Sequence, residues 1–441
     1  MSSSPFADHD AGSPLERTLH TVNSALVFWF FAFLITGPKN SHATTALLAL
    51  SLVTLPATVR VAPRVWAHAA PWLIGLGAYC SYQIAYRLID GGLEARIDPP
   101  ARYLGAIPIL FYLARYGFNI KALWAGMAVG SLIGGVAGAQ EVWIEGAQRA
   151  GAGIHPIAYG SILALLSMIL LYGATIFRET TWRIFLSAAF AVGLTGVLLS
   201  GTRGLYPALA VCMAFIGYRA LRQEGVSSRA LMLTVAGILA MLTVAVFWIP
   251  SIQQRFEETR EEYVQIRTGN LNSSSGHRLQ MWHTGLHLIS EYPLFGLGPD
   301  AGKRQALARG FMVEQHYDLS VLTTYDHLHN QYINETTRFG LVGLAALLGL
   351  LYGAIGRTTD PLRGTIAIAI ALAIILIEGL TETVLNHHRL MMAFVILVTV
   401  LRARLATETI GARNLTLSGQ ASLSAFDGAE GRIPGDSRPH P

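Results

Sequence analysis

The residues with most chemistry to offer lie in one short run, His327-Leu-His329-Asn330-Gln-Tyr332, just before a long apolar stretch. An imidazole can take a proton from a hydroxyl near neutral pH, so a histidine here fits a general base. Two imidazoles so close, with Asp326 before them, also fit part of a metal site. The plainest reading is a polar helix cap holding a hydrogen-bonded histidine. That reading suits His327, as a supporting residue, and leaves His329 as the expected base, with Asn330 and Tyr332 orienting it or the group it deprotonates. Magnesium or manganese on sugar phosphates wants carboxylates. The loops on this side offer no Asp-x-Asp, since Asp8 and Asp10 fall in the N-terminal segment. Zinc needs more ligands than this segment shows, and His387–His388 is a separate pair. No metal and no cofactor are expected.

The second set is arginine. Arg102 follows Asp98-Pro99 at the start of one apolar stretch, and Arg203 lies in "SGTRG" at the start of another. A helix N-terminus offers unpaired N–H groups and the positive end of a dipole, which suits an anion. A cation there is unfavourable for the helix itself unless an anion is bound. The bland alternative is that these arginines snorkel to headgroups or pair with Asp98, Glu141 or Glu145. Recurrence at two starts favours the anion. The long polar connection adds Arg278, just before Trp282, and Arg304, just after "PLFGLGPD". Guanidinium groups grip phosphate oxygens bidentately, and the pyrophosphate of a lipid carrier is the natural ligand at the membrane interface. Asp98 and either Ser200 or Thr202 are expected to cap their helices, and His155-Pro156 opens a further one.

The elements that must position these groups are membrane helices. Of 441 residues only 13% are charged and 52% are hydrophobic, against roughly a quarter charged in soluble domains. Apolar runs near bilayer-crossing length recur along the chain. Twelve spans are expected, at about 22–36, 43–59, 70–88, 103–116, 121–140, 156–176, 184–199, 203–217, 230–249, 331–355, 365–383 and 388–401. Arginine and lysine gather in alternate loops, which puts both termini in the cytoplasm and His329 on the far side. The net charge of +5 is spread through short loops, so nucleic acid is not an expected partner, whereas membrane lipids are. Cys80 and Cys212 lie inside apolar spans and read as free thiols.

The domain plan is a segment 1–21, spans one to nine over 22–249, an outer loop domain over 250–330, spans ten to twelve over 331–404, and a disordered tail over 405–441. The outer loop is too long to lack structure. In it, Leu279, Trp282, Leu286 and Ile289 form an amphipathic stripe. The series Gly130, Gly134, Gly138 reads as helix packing.

Three motifs resemble the O-antigen ligase and polymerase superfamily. They are "LLSGTRG"; Arg278, Trp282, Pro293, Gly296 and Gly298 in the long loop; and His327, His329, Asn330, Tyr332 followed by Gly340, Leu341, Gly343 and Leu344. The resemblance runs over roughly residues 90–400. It implies an all-α polytopic membrane fold of the GT-C-like kind with one large periplasmic loop domain. It also implies a glycosyltransferase of the Gram-negative inner membrane, moving O-antigen from undecaprenyl pyrophosphate to lipid A–core at the periplasmic face. One dominant loop, with only a short connection at 141–155, favours ligase over polymerase or protein O-oligosaccharyltransferase. On that basis Arg203 and Arg278 are expected to act with His329 in an inverting transfer. Arg102, Arg304, Asn330, Tyr332, His327 and Trp282 are expected to bind substrate, and a lateral groove to admit the lipid tails. A transporter or flippase of lipid-linked substrates is the reading from another class. It predicts charges near the bilayer midplane, for which Glu378 and Glu382 are the few candidates.

Overall fold

Eighteen residues of α8 (Pro156–Ile176), from Ile157 to Ala174, are all buried. A helix apolar on every side belongs inside a bundle. The computed structural model describes residues 13–37, 41–91, 97–222, 250–324, 327–356 and 364–427. Before α8 come α1 (Pro14–Ala32), α2 (Ser41–Val53), α3 (Leu55–Thr58), α4 (Ala62–Gly91), α5 (Asp98–Leu104), α6 (Ala106–Tyr116) and α7 (Ile120–Trp143). After it come α9 (Thr180–Leu199) and α10 (Leu205–Arg222). The long connection holds α11 (Pro250–Arg267), α12 (Ser274–Glu291), α13 (Ala301–Glu314) and α14 (Ser320–Thr324). The chain then runs through α15 (Gln331–Ile355), α16 (Gly364–Glu378) and α17 (His388–Asp427). The described residues contain helices and no strand.

Five helices are long and apolar enough to cross a membrane: α7, α8, α9, α15 and the stretch His388–Thr407 of α17. They coincide with the spans expected at 121–140, 156–176, 184–199, 331–355 and 388–401. The expected span 43–59 is instead bent by 74° between α2 and α3, beside Pro56, which cannot continue the backbone ladder. The expected span 103–116 is divided at Gly105 into α5 and α6. Span 230–249 lies outside the described residues. The tail, expected to be disordered from 405, is helical in backbone to Asp427. Alanine, leucine and arginine favour helix there, and no proline intervenes before Pro434.

Glycines let the helices approach. A Cβ at Gly130 would meet the Phe31 carbonyl of α1, and one at Gly138 the Tyr159 hydroxyl of α8. The Gly130–Gly134–Gly138 series therefore packs helices, as its spacing suggests. Where α4 crosses α15, Gly75 and Gly353 make the same kind of backbone contact.

The helix that follows His329 is broken. Within α15, Gly340 has φ +67° and interrupts the helical hydrogen bonding. The loop 293–298 is stitched into the gap. Leu297 and Gly298 donate their N–H groups to the carbonyls of Thr337 and Arg338, while Leu341 and Val342 donate to Pro293 and Leu294. The freed groups of a broken span need such partners in an apolar setting. Gly296, φ +71°, and Gly340 lie so close that a Cβ on either would strike the other strand of the stitch. This explains the two glycine-bearing motifs physically. One is the clasp and the other is the break it fills, and together they fix the half-helix Gln331–Phe339 to the long-loop domain.

Candidate active site

Asn330 starts α15. Its side-chain Oδ1 accepts the N–H groups of Tyr332 and Ile333, and its Nδ2 donates 2.9 Å to the Leu380 carbonyl. It is a cap tied to the turn after α16, and its polar atoms are spent on that role. The residue before it, His329, has φ +47°. A non-glycine residue in the left-handed region is held there by its surroundings, and such strain gathers at functional sites. The holding contacts are visible. The Trp282 indole donates to the His329 carbonyl at 3.3 Å, and the ring Nδ1 lies 2.8 Å from Glu382 Oε2.

Glu382 is the residue that the sequence reading did not connect with His329. It stands in the turn beyond the end of α16 and is only 2% exposed. Its Oε1 accepts the Thr383 N–H at 2.9 Å and lies 3.9 Å from His327 Nδ1. Burial pushes its carboxyl up. The His329 hydrogen bond and charge, the Thr383 amide and His327 outweigh that, and hold it down at about 2. An ionised carboxylate accepts Nδ1–H, so the His329 tautomer leaves the Nε2 lone pair as the basic atom. This is the base-plus-orienting-carboxylate arrangement of nucleophile-activating sites.

Two more imidazoles adjoin. His155 caps α8 through Nδ1, which accepts the Ile157 N–H at 3.3 Å. Its ring stacks on His387 with centroids 5.9 Å apart. Burial pulls both imidazoles below the ordinary histidine range, against the opposing charge of Glu382. Arg149 braces the neighbouring turn, with Nε donating 2.7 Å to the Ser200 carbonyl. Glu141, rather than pairing with an arginine, accepts the N–H groups of Gly151, Ala152 and Gly153 and so shapes the loop before His155.

The arginines divide. Arg203 precedes α10 rather than lying in its first turn. Its guanidinium pairs with Glu262 of α11 at 3.2 Å and donates to Thr259. Burial raises the Glu262 carboxyl, but Ser275, Arg203 and then Arg278 more than reverse it and hold it below the usual range. Arg203 is therefore ion-paired with Glu262, a carboxylate that also feels the charge of Arg278. Gly204 packs directly against Thr381, one residue from Glu382, so the Arg203 turn abuts the His329–Glu382 pair. Arg102 has other neighbours. Asp98 does not cap α5, since Ile97 holds that position, and it forms an i,i+4 ion pair with Arg102 at 2.6 Å. Arg304 donates to the Gly298 carbonyl and shares a small cavity with His327. Tyr332 donates its hydroxyl to the Leu376 carbonyl, tying α15 to α16. Trp282 and Tyr332 thus each use their polar atom to hold the backbone around the His329 turn and α16.

A metal reading gains a ligand. His327, His329 and Glu382 each offer a donor atom, all within 4.8 Å of one another. The third comes from a turn fifty-three positions beyond His329, which inspection of the His327–His329 segment could not supply. Asp326 lies outside the described residues.

Residues 188–348 match the family model for O-antigen ligase, which supports membership of the O-antigen ligase and polymerase superfamily. The matched stretch contains Arg203, Arg278 and His329, and ends before Glu382. An uncharacterized protein of Haemophilus influenzae is 26% identical over 260 residues, covering 57% of this chain and 63% of the relative. The chain thus spans less than two thirds of the relative it matches.

Proposed function

We propose that the chain is an O-antigen ligase of the bacterial inner membrane. It transfers a glycan from undecaprenyl pyrophosphate to a sugar hydroxyl of lipid A–core at the periplasmic face. The observation that carries this is the pairing of a strained, buried His329 with the Glu382 carboxylate, next to the Arg203 turn. In the reaction, His329 Nε2 takes the acceptor hydroxyl proton as that oxygen attacks the anomeric carbon. The new C–O bond forms while the bond to the pyrophosphate oxygen breaks from the opposite face, which inverts the anomeric centre. The leaving group departs with the electron pair. Arg203 and Arg278 neutralise its growing charge, an effect that strengthens away from water. For the donor to bind, its pyrophosphate displaces Glu262 from the Arg203 guanidinium.

The test is transfer by the purified protein from undecaprenyl-pyrophosphate-linked glycan to three separate acceptors. Lipid A–core is the expected recipient. Glycan appearing on a second carrier-linked unit, or on a pilin, would assign the polymerase or protein-transferase chemistry instead. Movement of carrier across proteoliposomes without transfer would assign a flippase. Activity should survive chelation; complete loss restored by a divalent metal would move the His327–His329–Glu382 group to a metal role.

A further inference from the structure

His387 and His388 are consecutive but serve different places. His387 stacks on His155 beside the base centre, while His388 lines a cavity of about 290 Å³ together with Arg102, Arg389, Thr44 and Thr45. The remaining wall is apolar and includes Phe30, Leu48, Ile109 and Ile396. One side of the cavity therefore suits a charged headgroup and the other a hydrocarbon chain.

The polar side is positively charged and built. An arginine can only donate, so in the 3.3 Å contact of Arg102 Nη1 with His388 Nε2 the ring nitrogen must accept. Its Nδ1–H then donates to the Tyr103 hydroxyl at 3.2 Å. His388 is thus neutral, and steers the Arg102 guanidinium. Arg389 donates to the carbonyls of Leu34 and Ile35, just beyond the end of α1, which stations a second positive charge at the cavity. Asp98 opposes one of the two. Its ion pair with Arg102 is half-exposed, at 50% and 61% for the two side chains. Exposed pairs of this kind are weak and exchange readily for a better partner. Arg203 pairs elsewhere, with Glu262 beside the turn that carries Glu382, so the two arginines serve different surroundings.

We propose that the groove binds a phosphate group carried on an acyl-bearing lipid. Resting on the ligase reading above, it seats the lipid acceptor, with His387–His388 as the link that brings the acceptor's headgroup to the base. The test uses the full chain in neutral detergent, with dioctanoyl phosphatidic acid, dioctanoylglycerol and inorganic phosphate as probes, and binding read by native mass spectrometry. Phosphatidic acid should bind at least about tenfold tighter than either fragment, since both charge and chain contribute. Arg102→Ala should weaken it about tenfold. Asp98→Asn should tighten it about threefold by removing the competing carboxylate, an outcome that mere damage to the fold would not give. Equal binding of inorganic phosphate would reduce the site to an ion site. Equal binding of dioctanoylglycerol would reduce it to an apolar groove. No response to either substitution would overturn the proposal. A kinetic arm separates this from the function itself: Arg102→Ala should raise the KM for lipid A–core and leave the donor KM unchanged. If the wild-type protein transfers nothing, the ligase reading fails while the binding arm still decides the groove. If it transfers and Arg102→Ala raises the donor KM alone, the acceptor assignment fails.

Discussion

Arg203 and Arg102 look alike in the sequence, each an arginine at the start of an apolar helix, yet the molecule uses them differently. Arg203 faces Glu262 on a helix of the long loop, a carboxylate that also feels the charge of Arg278, and abuts the turn that carries Glu382. Arg102 faces its own helix neighbour Asp98 and the groove beside His388. The difference teaches that a cation at a helix start is only a capacity for anions. Which anion it meets depends on the distant element packed against it.

The contrast is sharpened or broken by substitution. The largest effect is expected at the base. His329→Ala should lower kcat by about 10²–10⁴-fold with the donor KM little changed, read in a steady-state transfer assay. Next come the arginines. Arg203→Ala and Arg278→Ala should each raise the donor KM about tenfold or more, against no change for Arg102→Ala. Equal donor defects at all three positions would return Arg102 to the pyrophosphate and erase the distinction.

The clasp at the broken helix comes third. Gly340→Ala places a Cβ against the Leu294 carbonyl at a backbone angle that side chains rarely adopt. It should cost about 1–3 kcal/mol, seen as a lower midpoint of thermal unfolding in detergent. Activity should fall with it, because the half-helix behind His329 loses its support. An unchanged midpoint would mean that the stitch does not matter to the fold.

The smallest effect concerns pH. Burial holds the His155 and His387 imidazoles below the ordinary histidine value, so the unfolded chain binds more protons than the folded one near and below that value. Their contribution to stability is therefore full above about pH 6.5 and declines as the pH falls below it. Glu382, held down at about 2, behaves separately. Its contribution is present above the unfolded carboxyl value of about 4.3 and is lost as the pH falls through about 2. The wild type should lose thermal stability between pH 7 and 5, and His387→Gln should flatten that slope. Equal slopes in both proteins would contradict the assignment.

Local signals in the sequence were readable where local physics decides. Asn330 is flanked by polar residues and followed by an apolar run, and α15 does begin after it. His155-Pro156 opens α8, and the wholly apolar stretch behind it is the buried centre. The break at Gly340 was not legible, since 331–355 has the composition of one continuous span. It exists because a segment some forty residues earlier supplies the missing hydrogen bonds. Pro56 carried a local warning of the 74° bend, which apolar composition alone conceals. Glu382 was visible as a rare carboxylate at the end of an apolar run, but its meaning lies in a contact with His329 that only the packing of α15 against α16 creates. Trp282 and Tyr332 illustrate the same limit. Nothing in the sequence says that their polar atoms bond backbone carbonyls of distant turns.

The central claim is that Glu382 acts through His329. A double-mutant cycle on transfer rate tests it most directly. Glu382→Gln alone should slow kcat by about a hundredfold, and in the His329→Ala background it should cost almost nothing further. Full multiplication of the two losses would contradict the account, because the carboxylate would then have work of its own apart from the imidazole it holds.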